Sequence, residues 1–176
     1  MRLLLDACIL YPTVLREILI GTAETGAYTP LFSPRILEEW ARAAARTAPE
    51  SEPTARAEIA LLKARWPDSL VTPDPAAEDS LSLPDPDDLH VLAAALEGRA
   101  DGIVTLNLKD FPARTLSRHG LSVHSPDSLL AQVPEAVTRK VAERIRQRTE
   151  SISGRDQDLR KLLKRANLPR LGKAIG

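Results

Sequence analysis

The sequence predicts an α/β protein, with a central, mostly parallel β-sheet flanked by α-helices and a C-terminal helical extension. Three observations carry this. Short apolar runs of strand length alternate with segments whose apolar residues recur every three or four positions, the pattern of parallel strands joined by crossover helices. Helix starts are marked by a Ser or Asp followed by Pro, as at Ser33-Pro34 and Asp85-Pro86, because the first side chain caps and the Pro suits the first helical position. Past residue 133 the strand-like runs stop and only amphipathic helical patterns remain.

In chain order, the Arg2–Cys8 segment opens with Leu3-Leu4-Leu5, stopped by Asp6. That run is too short for a helix and suits a strand buried on both faces. Pro12 opens a helix with Val14, Leu15, Ile18 and Leu19 on one side, ending near Gly21. A second helix runs from Ser33-Pro34 through Ile36, Leu37, Trp40 and Ala44 to about Arg46, and residues 47–53 form a loop. Residues 54–66 form a third helix with Ile59, Leu61 and Leu62 inward, and residues 69–72 a second strand. Residues 73–86 are a Pro- and Asp-rich connection before a helix over 86–98 bearing Val91, Leu92, Ala95 and Leu96. Residues 102–106 and 121–124 are further strands, and residues 126–132 a short helix.

In the extension, residues 134–149 place Val137, Val141 and Ile145 at spacing four. A hinge-like stretch around Gly154 follows, then a helix over 156–167 with Leu159, Leu162 and Leu163 as its stripe. The organisation predicted is a body at 1–133 and an extension at 134–176.

The formal net charge is zero, with 24 basic and 24 acidic residues, but the charges are segregated. Residues 1–133 hold 12 Lys and Arg against 19 Asp and Glu, a net of −7; residues 134–176 hold 12 against 5, a net of +7. An acidic body with a basic tail differs from a neutral globule. One Cys excludes a disulfide framework and multi-Cys zinc or iron–sulfur sites. No apolar run is long enough to span a bilayer, and Asp6 interrupts the N-terminal apolar run, so a soluble cytoplasmic protein is expected. No GxxxxGK[ST], GxGxxG or GxSxG motif is present, which disfavours phosphate-loop nucleotide binding and serine hydrolase chemistry.

Carboxylates fall where an open parallel sheet gathers ligands, beyond the carboxyl ends of its strands. Asp6 follows the first strand, and Asp110 lies in the loop after Ile103-Val104-Thr105. Asp85, Asp87 and Asp88 surround the start of the 86–98 helix, and Glu38 and Glu39 occupy the second turn of the Ser33-capped helix. Each has a plain structural reading. Asp85-Pro86-Asp87-Asp88 is a good helix N-terminus unaided, Asp6 and Asp110 serve turns, and Glu38-Glu39 suits a solvated face. Together they repel unless a cation neutralises them, and oxygen ligands without a Cys or His cluster suit Mg2+ or Mn2+ rather than Zn2+. His90 reads as structural rather than as a ligand, Cys8 as a buried spacer, and Trp40 and Phe111 as core or site wall rather than RNA-stacking platforms.

Four blocks in order, Leu3-Leu4-Leu5-Asp6-Ala7-Cys8, Ser33–Trp40, Pro84–Ala95 and Ala100–Phe111, make residues 1–133 resemble a PIN-domain ribonuclease, of the kind acting as the toxin in VapBC-type toxin–antitoxin pairs. The last two blocks at this spacing are the specific ones. The resemblance implies a PIN-like fold and a metal-dependent endoribonuclease leaving 5′-phosphate and 3′-hydroxyl ends. Asp6, Glu39, Asp88 and Asp110 are the implied ligands of Mg2+ or Mn2+, with Glu38 competing with Glu39 and Asp85 assisting. Thr105 and Asn107 are the implied polar neighbours. Many relatives carry Asp at the position of Asn107, which leaves open whether one ion or two bind. The implied partners are RNA, a cognate antitoxin and a second copy of the chain, with no membrane. Alternatives of the same fold are an RNA-processing nuclease and a non-catalytic module that binds RNA or protein. For the basic extension three readings stand: phosphate contacts to RNA, docking of a partner such as an antitoxin, and a solvated Lys/Arg face.

Overall fold

Leu3, Leu4 and Leu5 are fully buried because the strand they form, β1 (Arg2–Leu5), is central and covered on both faces. The computed structural model describes all 176 residues. β1 pairs in parallel with β2 (Thr29–Leu31) on one side and β3 (Gly102–Val104) on the other, and β3 pairs in parallel with β4 (Ser122–His124). The sheet order is β2-β1-β3-β4. Successive strands therefore leave β1 in opposite directions, and the topological switch lies between β1 and β3, where such sheets open a crevice at their carboxyl ends.

The connecting helices are α1 (Ala7–Leu10), α2 (Thr13–Ala23), α3 (Pro34–Thr47), α4 (Glu52–Arg65), α5 (Leu89–Glu97), α6 (Ala113–Ser117) and α7 (Pro126–Leu130). The α/β architecture agrees with the sequence, and several details differ for local reasons. The chain does not stay extended to Cys8, because the Asp6 carboxylate accepts the Ala7 N–H at 2.7 Å and caps α1 there. The second strand is β2 rather than residues 69–72. That later segment contributes one parallel bridge, Leu70 to Phe32, beside β2. Residues 47–53 are not a continuous loop: a 3-10 turn at Pro49–Ser51 leads directly into α4. Leu61 is 71% exposed, one position off the buried stripe of Ala55 and Leu62. The 86–98 helix begins with a 3-10 turn at Pro86–Asp88 before α5.

The extension forms three helices rather than two: α8 (Glu135–Ser153), α9 (Leu159–Arg165) and α10 (Pro169–Ile175). α8 runs past its expected end at residue 149 and stops at Gly154, the centre of the expected hinge, whose left-handed φ of 65° lets the backbone reverse there. α8 lies along α2 so closely that a Cβ on Gly21 would meet Val141 Cγ1 at 2.9 Å. Val141, Ala142 and Ile145 join the same apolar cluster as the sheet residues. Glu24 at the C-cap of α2 and Glu17 on α2 receive Arg144 at 3.5 Å and Arg148 at 3.3 Å from α8. The acidic body and the basic extension thus meet along one seam. The far end of the extension is tied down by Asp127 of α7, whose buried carboxylate accepts the N–H groups of Arg170 and Leu171 at 2.8 and 3.0 Å.

Candidate functional site

Asp6 sits at the carboxyl end of β1, at the switch between β1 and β3. Its own N–H donates to Val104 O at 3.1 Å, so the residue extends the ladder by one step before the chain turns into α1. Asp6 is buried, and its charge is held by three donors. Ala7 N–H reaches Oδ1 at 2.7 Å, the Thr105 hydroxyl reaches Oδ2 at 2.7 Å, and the Cys8 thiol reaches Oδ2 at 3.3 Å. Thr105 is fully buried just past β3, where its N–H donates to His124 O on β4 at 3.0 Å, and its hydroxyl also accepts the Asn107 N–H at 3.0 Å. The α1 turn behind Asp6 is braced from below. The buried Arg16 guanidinium donates to Leu10 O and Tyr11 O, packs over the Trp40 ring at 4.4 Å and pairs with Glu58.

Asp88 faces this crevice from the start of α5. Burial, followed by the negative charges of Asp6, Asp85 and Asp110, pushes its carboxyl up to about 6. That sensitivity places Asp6, Asp85, Asp88 and Asp110 in one electrostatic neighbourhood. Asp85 carries the capping role its motif suggests, accepting the Asp87 N–H at 2.9 Å. Asp110 ends a 3-10 turn, Leu108–Asp110, and its N–H donates to Asn107 O at 3.0 Å.

The two glutamates of α3 part company. Glu38 turns toward α4, bonded by Arg56 at 2.9 and 3.2 Å and by Arg42 at 3.2 Å, and these donors hold its carboxyl at about 2. Glu39 instead meets His90 of α5, with Oε1 2.9 Å from Nε2, and lies 3.6 Å from Arg35. His90 is two residues beyond Asp88, so this bond ties Glu39 to the Asp88 end of α5.

Two neighbours that the sequence pattern assigns to packing alone also touch the candidate ligands. His90 is buried as expected of a structural histidine, yet its side chain bonds a candidate ligand. Cys8 is half-buried and bonded on two sides, accepting the Leu106 N–H at 3.3 Å and donating to Asp6. Burial and then the Asp6 charge push its thiol up to about 12, so it is a neutral donor and not a nucleophile. The signal for Cys8 was its position two residues after a strand-terminal acid; the signal for His90 was its proximity to Asp88. Trp40 and Phe111 are both buried core residues.

The carboxylates form an open cluster, with no three of the His, Cys, Asp and Glu side chains converging as ligands. The chemistry of the donor set still suits a hard divalent cation. The donors are carboxylate oxygens, the neighbouring Cys stays protonated, and the Asp88 carboxyl is raised first by burial and then by the charges of Asp6, Asp85 and Asp110, both of which a cation offsets.

A family model described as PIN domain matches residues 2–109. The match spans the sheet strands β1 to β3 and stops one residue short of Asp110. Comparisons with curated proteins and with solved structures find no match. No helix is long and apolar enough to cross a membrane.

Proposed function

Because the chain belongs to the PIN-domain family, we propose that it is a metal-dependent endoribonuclease, acting as the toxin of a VapBC-type toxin–antitoxin pair with a cognate antitoxin as partner. The observation that carries the nuclease reading is Asp6, buried at the carboxyl end of β1 at the topological switch of the sheet, with its carboxylate fixed by the Ala7 N–H and the Thr105 hydroxyl.

In this reading Asp6, Glu39, Asp88 and Asp110 would hold Mg2+ or Mn2+, which would supply Lewis-acid polarisation of the scissile phosphate for hydrolysis to 5′-phosphate and 3′-hydroxyl ends. The chain's own residues set the geometry. The Thr105 hydroxyl and the Ala7 N–H each occupy one oxygen of Asp6, so its remaining lone pairs have a fixed direction. His90 does the same for Glu39, and Glu38 is withdrawn from the role by Arg42 and Arg56. Asn107, exposed beside Thr105, orients water or phosphate by hydrogen bonding.

The test is an Asp6→Asn protein shown by circular dichroism to be folded. Asn keeps an acceptor for Ala7 N–H and a polar group facing Thr105, so the fold survives, while RNA cleavage in Mg2+ falls at least about a hundredfold. Cleavage at the wild-type rate overturns the assignment. The toxin role is tested by sequencing RNA 5′ ends after brief induced expression against Asp110→Ala; identical transcript populations overturn it.

A further inference from the structure

Apart from Lys140 on α8 and Arg155 in the connection after it, both exposed and without an ion pair, the cations of the extension fall into two groups. On α8, Arg139, Arg144, Arg146 and Arg148 are all in ion pairs, with Glu135, Glu24, Glu143 and Glu150, and Glu17 respectively. They serve the helix itself and its seam with α2. On α9 and α10, Arg160, Lys161, Lys164, Arg165, Arg170 and Lys173 are exposed, and none forms an ion pair.

The second group is displayed on a rigid support. Arg160, Lys161, Lys164 and Arg165 share one side of α9, opposite the buried Leu162 and Leu163. Arg170 and Lys173 share one side of α10, opposite the buried Leu171 and Ile175. Asn167, with φ of 60°, makes the left-handed turn between the helices. Gly172 then allows close contact, since a Cβ there would lie 3.2 Å from Arg160 O.

The support is anchored to α7, the helix that follows β4. α7 starts directly after β4, whose last residue, His124, accepts the Thr105 N–H. Asp127 of α7 holds the first turn of α10 by the Arg170 and Leu171 N–H groups. The start of α10 is therefore held near the carboxyl end of β4, the strand whose His124 O accepts the N–H of Thr105 beside Asp6.

We propose that α9 and α10 form a surface that holds the RNA phosphodiester backbone and delivers it to the Asp6–Asp88 crevice. The proposal rests on the endoribonuclease reading for its substrate. An acidic crevice repels a polyanion, so a nuclease needs positive charge beside it. Six cations without ion pairs, on a hairpin anchored through Asp127 near the carboxyl end of β4, meet that need. An acidic protein partner would satisfy the charge alone but gives no reason for this placement.

The test measures binding of a fluorescein-labelled single-stranded RNA of mixed sequence to the full chain by anisotropy, in EDTA, across a salt series. A Lys161→Gln, Lys164→Gln, Arg165→Gln variant is compared with a control in which Arg46, Lys63 and Arg118, exposed cations of the body, become Gln. The surface variant is expected to bind at least about tenfold more weakly, and its salt slope to fall by about 2, at about 0.7 per lost phosphate contact. The control is expected to stay within about twofold. Unchanged affinity in the surface variant overturns the proposal, as does an equal loss in the control or absence of RNA binding by the wild type. Retained RNA affinity with lost binding of a polyglutamate probe overturns it in favour of an acidic protein partner. Wild-type cleavage in Mg2+ is scored separately: RNA held through α9 without cleavage supports the surface and defeats the nuclease reading.

Discussion

Nε2 of His90 lies 2.9 Å from Oε1 of Glu39, while Nδ1 of the same ring is buried with no partner. A carboxylate this close to Nε2 favours the proton there, and in the neutral ring that leaves Nδ1 a bare acceptor. A buried acceptor without a donor costs about 1–3 kcal/mol. The molecule carries that cost at a position where it gains a fixed orientation for Glu39, which is otherwise a partly exposed side chain on the second turn of α3.

Removing His90 should therefore harm catalysis more than folding. His90→Ala frees Glu39 and abolishes the orphaned acceptor together, so the lost packing is partly offset. RNA cleavage is expected to fall about 10- to 100-fold, the usual effect of losing a residue that orients a metal ligand, with a modest loss in thermal stability. His90→Gln supplies a donor from the same helix and should recover part of the activity. Equal cleavage by His90→Ala and the wild type removes the orienting role.

Asp88 makes the stability of the metal-free protein depend on pH with an unusual sign. Its folded carboxyl is pushed up to about 6, above the usual carboxylate range of about 3.9. The folded state therefore holds a proton that the unfolded chain has released between those values. The contribution is fully present below about pH 4 and is lost as pH rises through 6. Because Asp88 is only partly buried, solvent screening reduces it to on the order of 1 kcal/mol. In EDTA, wild-type stability should decline relative to Asp88→Asn between pH 4 and 7. Saturating Mg2+ should lessen that decline, because the cation binds the ionised carboxylate. Parallel pH profiles for the two proteins contradict the shift. In a second check, Asp6→Asn removes one of the repelling charges, so an NMR titration should place the Asp88 carboxyl below about 6.

β1 with its terminal acid was legible in the sequence because Leu3-Leu4-Leu5-Asp6 is a local pattern. β2 was not, because Thr29-Pro30-Leu31 is short and has Pro at its centre. Pro survives there since β2 pairs with a full strand only on the β1 side, so one edge needs no N–H donor. The candidate carboxylates were legible as strand-end and helix-start acids. The choice of Glu39 over Glu38 needed contacts far along the chain, with His90 for one and Arg56 for the other. α10 was hidden for the same kind of reason: its cap, Asp127, lies 43 residues upstream of Arg170. The basic tail was visible as charge, but its division into paired and free cations depends on which glutamates α2 and α8 present.

Asp127 should prove to be a structural lock on the end of the chain. Asp127→Ala leaves the N–H groups of Arg170 and Leu171 without acceptors in buried or half-buried surroundings. A loss of about 1–3 kcal/mol is expected. It should appear as fast amide exchange and proteolytic cleavage confined to residues 166–176, with the sheet amides still protected. Unaltered exchange in α10 rules out the lock.

Thr105 tests how far the orientation of Asp6 limits the reaction. Thr105→Val keeps the shape of a fully buried side chain and deletes only the hydroxyl that donates to Asp6 Oδ2 and accepts the Asn107 N–H. With no exposed surface, Thr105 cannot touch RNA, so KM should stay within about twofold while kcat falls about 10- to 100-fold, as expected for a residue acting through a ligand. Thr105→Ser restores the hydroxyl and should recover most of the rate despite the missing methyl. A rise in KM with kcat unchanged would mean that the hydroxyl serves substrate binding through the Asn107 loop. In that case Asp6 would be held adequately by Ala7 N–H and Cys8 alone.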